Sequence, residues 1–150
     1  MLNIKRTLIG LAALFIFTTP AHAADARQIE CLARNAAYEA GNQGDKGMIA
    51  VSNVVMNRTR DDRFPSTPCG VIHQKKRGVC QFSWVCQRRL PHLDLEVLRR
   101  ARIIAERVYL AGARDVTAGA LFYHADYVRP RWAYVFKRTT RIGDHIFYRG

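Results

Sequence analysis

The sequence predicts a mainly helical α+β domain with a small late sheet, and three observations predict it. Apolar residues recur at helical spacing in three segments, near 25–40, 46–60 and 94–111. The strand-like patterns that can pair into a sheet come after residue 119 and include a hairpin signal, Gly143-Asp144. Between Asp61 and His92, Pro65, Pro68, Gly70, Gly78 and Pro91 break any long periodicity, and three of the four cysteines fall there.

Residues 1–23 carry the marks of a secretory signal peptide. Lys5 and Arg6 form a basic start, and Leu8 to Phe17 is an apolar run too short to span a bilayer. Ala21-His22-Ala23 supplies a small–x–small cleavage pattern. The remainder, 24–150, has the length of one domain with one core. Asp25 is placed to cap a first helix running to Ala40, with Ile29, Leu32, Ala33, Ala36, Ala37 and Ala40 as its buried stripe. Gly41 and Gly44 end it. Asp45 is placed to cap a second helix, Lys46 to Arg60, in which Ala50, Val51, Val54 and Val55 line one side. This segment is nearly apolar apart from Ser52, Asn53 and Asn57, so it reads as the central buried helix. Its valines lower intrinsic helicity, and packing must hold it.

In the loop-rich middle, Val71 to Gln74 reads as one helical turn and Cys80 to Trp84 as a short strand or extended segment. Asp94 caps a third helix to Ala111, with Val97, Leu98, Ala101, Ile104, Ala105 and Val108 inward. Arg99, Arg100, Arg102 and Arg107 form its solvated basic face. Ala120 to His124 reads as a strand, and Thr139–Ile142 pairs with His145–Tyr148 through the Gly143-Asp144 turn.

Without the signal segment the chain keeps 22 basic and 12 acidic residues, a net charge of +10. Such a charge draws polyanionic partners. For an exported protein these are envelope polymers such as peptidoglycan, teichoic acid or lipopolysaccharide rather than nucleic acid. Cys31, Cys69, Cys80 and Cys86 make an even set, which in an exported domain reads as two disulfides with three pairings open. The zinc alternative lacks its usual CxxC, since five residues separate Cys80 from Cys86.

Nucleophilic catalysis finds little support. No GxSxG elbow exists, Ser83 has no evident base, and oxidised cysteines are not nucleophiles. His73, His92, His124 and His145 lack the i, i+4 spacing of a zinc helix. Glycoside cleavage by a carboxylic acid requires an acid kept protonated near neutral pH, which partial burial provides. Glu39 meets that need, lying about 20° from Leu32 and about 40° from Asn35 around the first helix, on the edge of its apolar stripe. The negative end of the helix dipole pushes the same way. Trp84, Tyr123, Tyr127 and Trp132 are candidates to stack on sugar rings, and equally candidates for the core.

Five ordered blocks carry a resemblance. They are CLARNAAYEAGNQGDKGMIAVSNVVMNR at 31–58, RFPSTPCGVI at 63–72, CQFSWVC at 80–86, TAGALFYHADYVRPRWA at 117–133 and RIGDHIFYR at 141–149. Together they resemble the SleB-type cell wall hydrolases, the family of spore cortex-lytic enzymes and related bacterial and phage peptidoglycan hydrolases. The resemblance implies a lysozyme-like catalytic domain that cleaves the MurNAc–GlcNAc bond, with Glu39 as general acid and base and no cofactor or metal. It further implies lytic transglycosylation, which leaves 1,6-anhydromuramoyl ends. The common E-A-R-G-E form of the family motif has a second glutamate where this chain has Gln43. A one-acid enzyme tolerates that change, because Glu39 first protonates the leaving oxygen and then deprotonates the C6 hydroxyl. Where two carboxylates flank the bond, as is usual, the candidates for the second are Asp45 and Asp126. Gln43, Gln81, Ser83, Tyr123 and His124 are the resemblance's candidates for lining the saccharide groove.

The expected partner is therefore the glycan strand of peptidoglycan, met by a soluble monomer in the periplasm or outside the cell. An N-acetylmuramoyl-L-alanine amidase and a non-catalytic peptidoglycan-binding protein are the alternatives.

Overall fold

The computed structural model describes residues 20–150, so residues 1–19 of the expected signal segment lie outside the described residues. Helix α1 (Pro20–Ala40) passes through a single 3₁₀ turn, Gly41–Gln43, into α2 (Gly44–Arg58). After the short α3 (Pro68–His73) come a two-stranded hairpin, β1 (Lys75–Lys76) and β2 (Val79–Cys80), and a 3₁₀ turn at Ser83–Cys86. Helix α4 (Leu95–Leu110) leads to β3 (Phe122–Ala125), a 3₁₀ turn at Arg131–Tyr134, β4 (Lys137–Ile142) and β5 (His145–Arg149). The last three strands form one antiparallel sheet in the order β3-β5-β4, with a register shift between Arg138 and Thr140.

Two of the expected caps are not caps. Asp25 lies inside α1, where its carboxylate accepts a hydrogen bond from the Tyr109 hydroxyl at 2.9 Å. Nothing in Ala21-His22-Ala23-Ala24 interrupts a helix, and Pro20 suits a first turn, so α1 begins upstream of Asp25. Asp45 lies in the first turn of α2 and is drawn to Arg100 across on α4. Asp94 does cap α4, accepting from the backbone N–H groups of Glu96 and Val97. The helical turn at 71–74 is a longer α3, started by Pro68 and capped by Thr67, whose hydroxyl accepts from Gly70 N–H. The expected strand at 80–84 divides: Cys80 ends β2, and Ser83 and Trp84 begin the 3₁₀ turn.

Helix α2 is the central element. Met48, Val51 and Val55 join Leu32, Ala36 and Ala40 of α1, Ile72 of α3 and Ala105 of α4 in the main core. Its other side places Ala50 and Val54 against Ala120, Ile142 and Phe147 below the sheet. Each fully buried valine there contributes about 1.5–3 kcal/mol relative to exposure, which offsets its weak helix propensity. The disulfides pair Cys31 with Cys69, tying α1 to α3, and Cys80 with Cys86, closing the loop around the 3₁₀ turn.

The C-terminal end of α2 is stapled to the start of β3. The Asn57 side-chain amide donates to Asp115, to the Thr117 hydroxyl and to Ala120 O, and Arg58 Nε donates to Leu121 O. Asp115 also accepts from Thr117 N–H, the Thr117 hydroxyl and Gly119 N–H. Burial raises the pKa of this carboxyl, but the hydrogen bonds outweigh burial and the net direction is down. A depressed folded pKa means that this stabilisation is present at neutral pH and is lost as pH falls through the folded value. Asp115→Ala is expected to destabilise the fold by about 2–4 kcal/mol at pH 7, measured by urea unfolding, with the difference shrinking below pH 4.

Candidate active site

The site is built where α1 ends. Glu39 occupies the last turn of that helix, half-buried. The chain then reverses at Gly44, whose φ of 67° suits glycine. A β-carbon at Gly47 would lie 2.4 Å from Gln43 Cβ, so this glycine lets the 3₁₀ turn fold down onto α2. Close packing of the two helices presents Glu39 to the sheet. Tyr123, on β3, donates its hydroxyl to Glu39 Oε2 at 2.9 Å. Its ring is wedged against His145 and Phe147 of β5, at centroid distances of 5.1 and 5.5 Å.

Arg58, the last residue of α2, is the third member. It is buried, with its guanidinium over the rings of Phe64, Phe82 and Phe122 at 5.1, 5.6 and 5.6 Å. Its Nη1 is buried without a hydrogen-bond partner. Burial raises the Glu39 pKa above the ordinary carboxylate value, while the Tyr123 hydrogen bond and the Arg58 charge oppose it. Tyr123 is pushed well above its usual value by burial and by the neighbouring Glu39 charge, so the phenol stays protonated and remains a donor. His145, beside Tyr123, is lowered by burial, which favours a neutral ring there. The result is an acid inclined to hold its proton, aimed by one phenol, with a fixed cation nearby.

Of the residues expected to line a saccharide groove, Tyr123 is hydrogen-bonded to Glu39. Gln43 is turned to the β4–β5 hairpin, where its amide donates to the Asp144 carboxylate and accepts from Asp144 N–H, both at 2.9 Å. Gln81 and Ser83 are exposed beside the Cys80–Cys86 disulfide, and Gln81 N–H bonds Gln74 O. His124 follows Tyr123 on β3 and faces the other side of the sheet, as strand alternation requires. There its ring nitrogens lie 3.0 Å from the Tyr148 hydroxyl and 2.8 Å from Ala125 O, next to a cavity of about 300 Å³. Trp84, a candidate for sugar stacking, is a core residue: its indole N–H donates to buried Asn35, and Tyr38 stacks on it at 4.8 Å. Trp132 packs among Phe122, Phe136, His124 and Tyr148, whereas Tyr127 is exposed. Asp45 and Asp126 are ion-paired with Arg100 and Arg141. Among the described residues no group of three or more His, Cys, Asp or Glu is placed to hold a metal ion.

Arg58 escaped the sequence reading, although a signal existed. It falls four residues after Val54 and seven after Val51, in phase with the buried stripe.

Helices packed on a small three-stranded antiparallel sheet are the fold of SleB-type catalytic domains. The fold matches the catalytic domain of the germination-specific lytic transglycosylase SleB from Bacillus anthracis with a TM-score of 0.64 and 26% identity, over 81% of this chain and 93% of that one. The catalytic domain of the Bacillus cereus SleB protein matches with a TM-score of 0.63 and 25% identity, over 83% and 91%. The chain belongs to the Cell Wall Hydrolase family, whose pattern matches residues 42–148. Glu39 stands three residues before that match. Spore cortex-lytic enzymes are its curated relatives: 29% identity over 118 residues in Bacillus cereus and 29% over 120 in Halalkalibacterium halodurans. These alignments cover 77% and 79% of this chain but 42% and 34% of the relatives, so the chain spans less than half their length.

Proposed function

We propose that the chain degrades peptidoglycan by cleaving the MurNAc–GlcNAc bond as a lytic transglycosylase, with Glu39 as the one acid and base. The observation that carries this reading is the grip on Glu39: burial favours its neutral form while Tyr123 fixes its direction. Protonated Glu39 gives its proton to the glycosidic oxygen as the bond to MurNAc C1 breaks, releasing the GlcNAc 4-hydroxyl. The MurNAc C6 oxygen then bonds to C1, and the Glu39 carboxylate takes the C6 hydroxyl proton, which restores the acid and consumes no water. Tyr123 and the Arg58 cation steady the transient carboxylate. Asp45 and Asp126, each held by an arginine, and Gln43, held by Asp144, favour this one-acid scheme over one with a second carboxylate. The basic n-region, apolar run and cleavage pattern of residues 1–23, with two disulfides in 24–150, support export to the periplasm or beyond.

Purified peptidoglycan digested by the mature protein and separated by mass tests the bond assignment. Fragments 18 Da lighter than their hydrolysed counterparts, as loss of one water requires, are expected. Reducing muramic ends would replace transglycosylation by hydrolysis, and free stem peptides would replace it by amidase action. Tyr123→Phe removes a hydrogen bond that favours the Glu39 carboxylate, so the Glu39 pKa rises further. Since the first step needs the protonated acid, the alkaline limb of kcat/KM is expected to move to higher pH in this variant, with a loss of about tenfold or more in kcat.

A further inference from the structure

The cations of this protein are unequally occupied. On α4, Arg99, Arg100 and Arg102 pair with Glu96, Asp45 and Glu106, so that face is largely neutralised. The stretch between Asp62 and Asp94 holds no acidic residue at all. Within it Lys75, Lys76, Arg77, Arg88 and Arg89 are all exposed, and among the described residues none of the five forms an ion pair. One disulfide gathers them. Lys75 sits opposite Cys80 in the β1–β2 register, Cys80 is bonded to Cys86, and Arg88 and Arg89 follow within three residues.

The tip of the hairpin is strained in a telling way. Arg77 and Gly78 are its two loop residues, with φ of 52° and 80°. Positive φ at both positions is the turn geometry that favours Asn-Gly, and an arginine there is conformationally disfavoured. The guanidinium is therefore presented at a local cost. The patch is also tied to the helix that carries the acid, because Trp84, inside the same disulfide loop, bonds Asn35 and stacks on Tyr38 of α1.

We propose that this disulfide-gathered cationic hairpin binds the carboxylates of the stem peptides that project from the glycan strand lying at Glu39. The inference rests on the glycan-cleaving reading of that site. In peptidoglycan the negative charge resides on the stem peptides, so cations flanking the glycan groove meet carboxylates there. A membrane surface fits less well: the exposed large apolar side chains of this segment are Val79 and Leu90, too few to insert.

Binding is measured on the Glu39→Gln protein, which removes turnover from the readout. The probes are sacculi freed of teichoic acid and lipoprotein, the same material stripped of stem peptides by an amidase and with its freed lactyl carboxylates amidated, and phosphatidylglycerol vesicles. The parent is expected to bind intact sacculi about tenfold or more tighter than stripped ones at low salt, an advantage lost near 1 M salt, where the Debye length is about 3 Å. A Lys75→Gln, Lys76→Gln, Arg88→Gln, Arg89→Gln variant is expected to bind both kinds of sacculi alike. Arg77→Asn is expected to weaken binding to intact sacculi while raising Tm by about 1–4 °C, since the turn relaxes. Equal binding of intact sacculi by the fourfold variant and its parent overturns the proposal, as does tighter binding to vesicles than to sacculi. Cleavage of stripped glycan by the fourfold variant with Glu39 restored separates the two readings. That activity should match the protein without the four substitutions. If neither protein cleaves glycan while the peptide-dependent binding persists, the catalytic reading fails and the peptide-binding surface stands.

Discussion

Glu39→Gln is expected to lower glycan cleavage by about 10²- to 10⁴-fold, the range a positioned general acid contributes, and to stabilise the fold at the same time. Both effects have one cause. Burial raises the folded pKa of Glu39 above its unfolded value, so the folded state binds the proton more tightly. Stability linked to this group is then fully present below the unfolded pKa and falls as pH rises through the folded one. At pH 7 to 8 the wild-type protein carries the cost of a partly desolvated carboxylate, which the amide lacks. Melting temperatures of the two proteins are therefore expected to diverge as pH rises from the unfolded carboxylate pKa through the folded one, with Glu39→Gln the higher, and to converge below pH 4. A variant that lost activity through misfolding would show the opposite order. Cleavage undiminished by the substitution would remove Glu39 from the mechanism.

Arg58→Ala is expected to destabilise the protein by about 3–5 kcal/mol, which removes a large part of the stability of a domain this size. The substitution deletes the Nε bond to Leu121 O and empties the space between Phe64, Phe82 and Phe122. Each contact of the cation with a ring contributes about 0.5–2 kcal/mol. Arg58→Met separates packing from charge, since it fills the aromatic cage without a cation. Its stability loss in urea is expected to be roughly half that of Arg58→Ala. Without the cation the Glu39 pKa rises, so the alkaline limb of cleavage moves up in Arg58→Met as it does in Tyr123→Phe. A loss below about 1 kcal/mol in Arg58→Ala would show that the cage is ornamental.

Helical phase made much of this legible. The stripe from Ile29 to Ala40 is buried as its spacing requires, and the same phase places Glu39 on the edge of the core. Phase also marks Arg58, but a charge at the end of a helix reads as solvated unless its register with Val51 and Val54 is followed through. Strand period is equally informative. Tyr123 and His124 are neighbours on one strand, so they lie on opposite faces and cannot both line one groove. The caps were less legible, because Asp25 and Asp45 have partners 84 and 55 residues away, Tyr109 and Arg100. Trp84 shows the same limit, since its indole is buried by an asparagine 49 residues distant. Arg77-Gly78 concealed the β1–β2 hairpin, as arginine stands where a primed turn favours asparagine.

The proposed role of Glu39 requires that its raised pKa govern glycan cleavage. A ¹³C NMR titration of the Glu39 carboxyl, set beside the pH dependence of kcat/KM for glycan cleavage, tests it most directly. Glu39 is expected to titrate above the ordinary carboxylate value of about 4.3, at the same pH as the alkaline limb, with both moving upward together in Tyr123→Phe. A Glu39 that titrates at or below that value, or a limb that stays in place when its titration moves, would contradict the assignment of Glu39 as the acid.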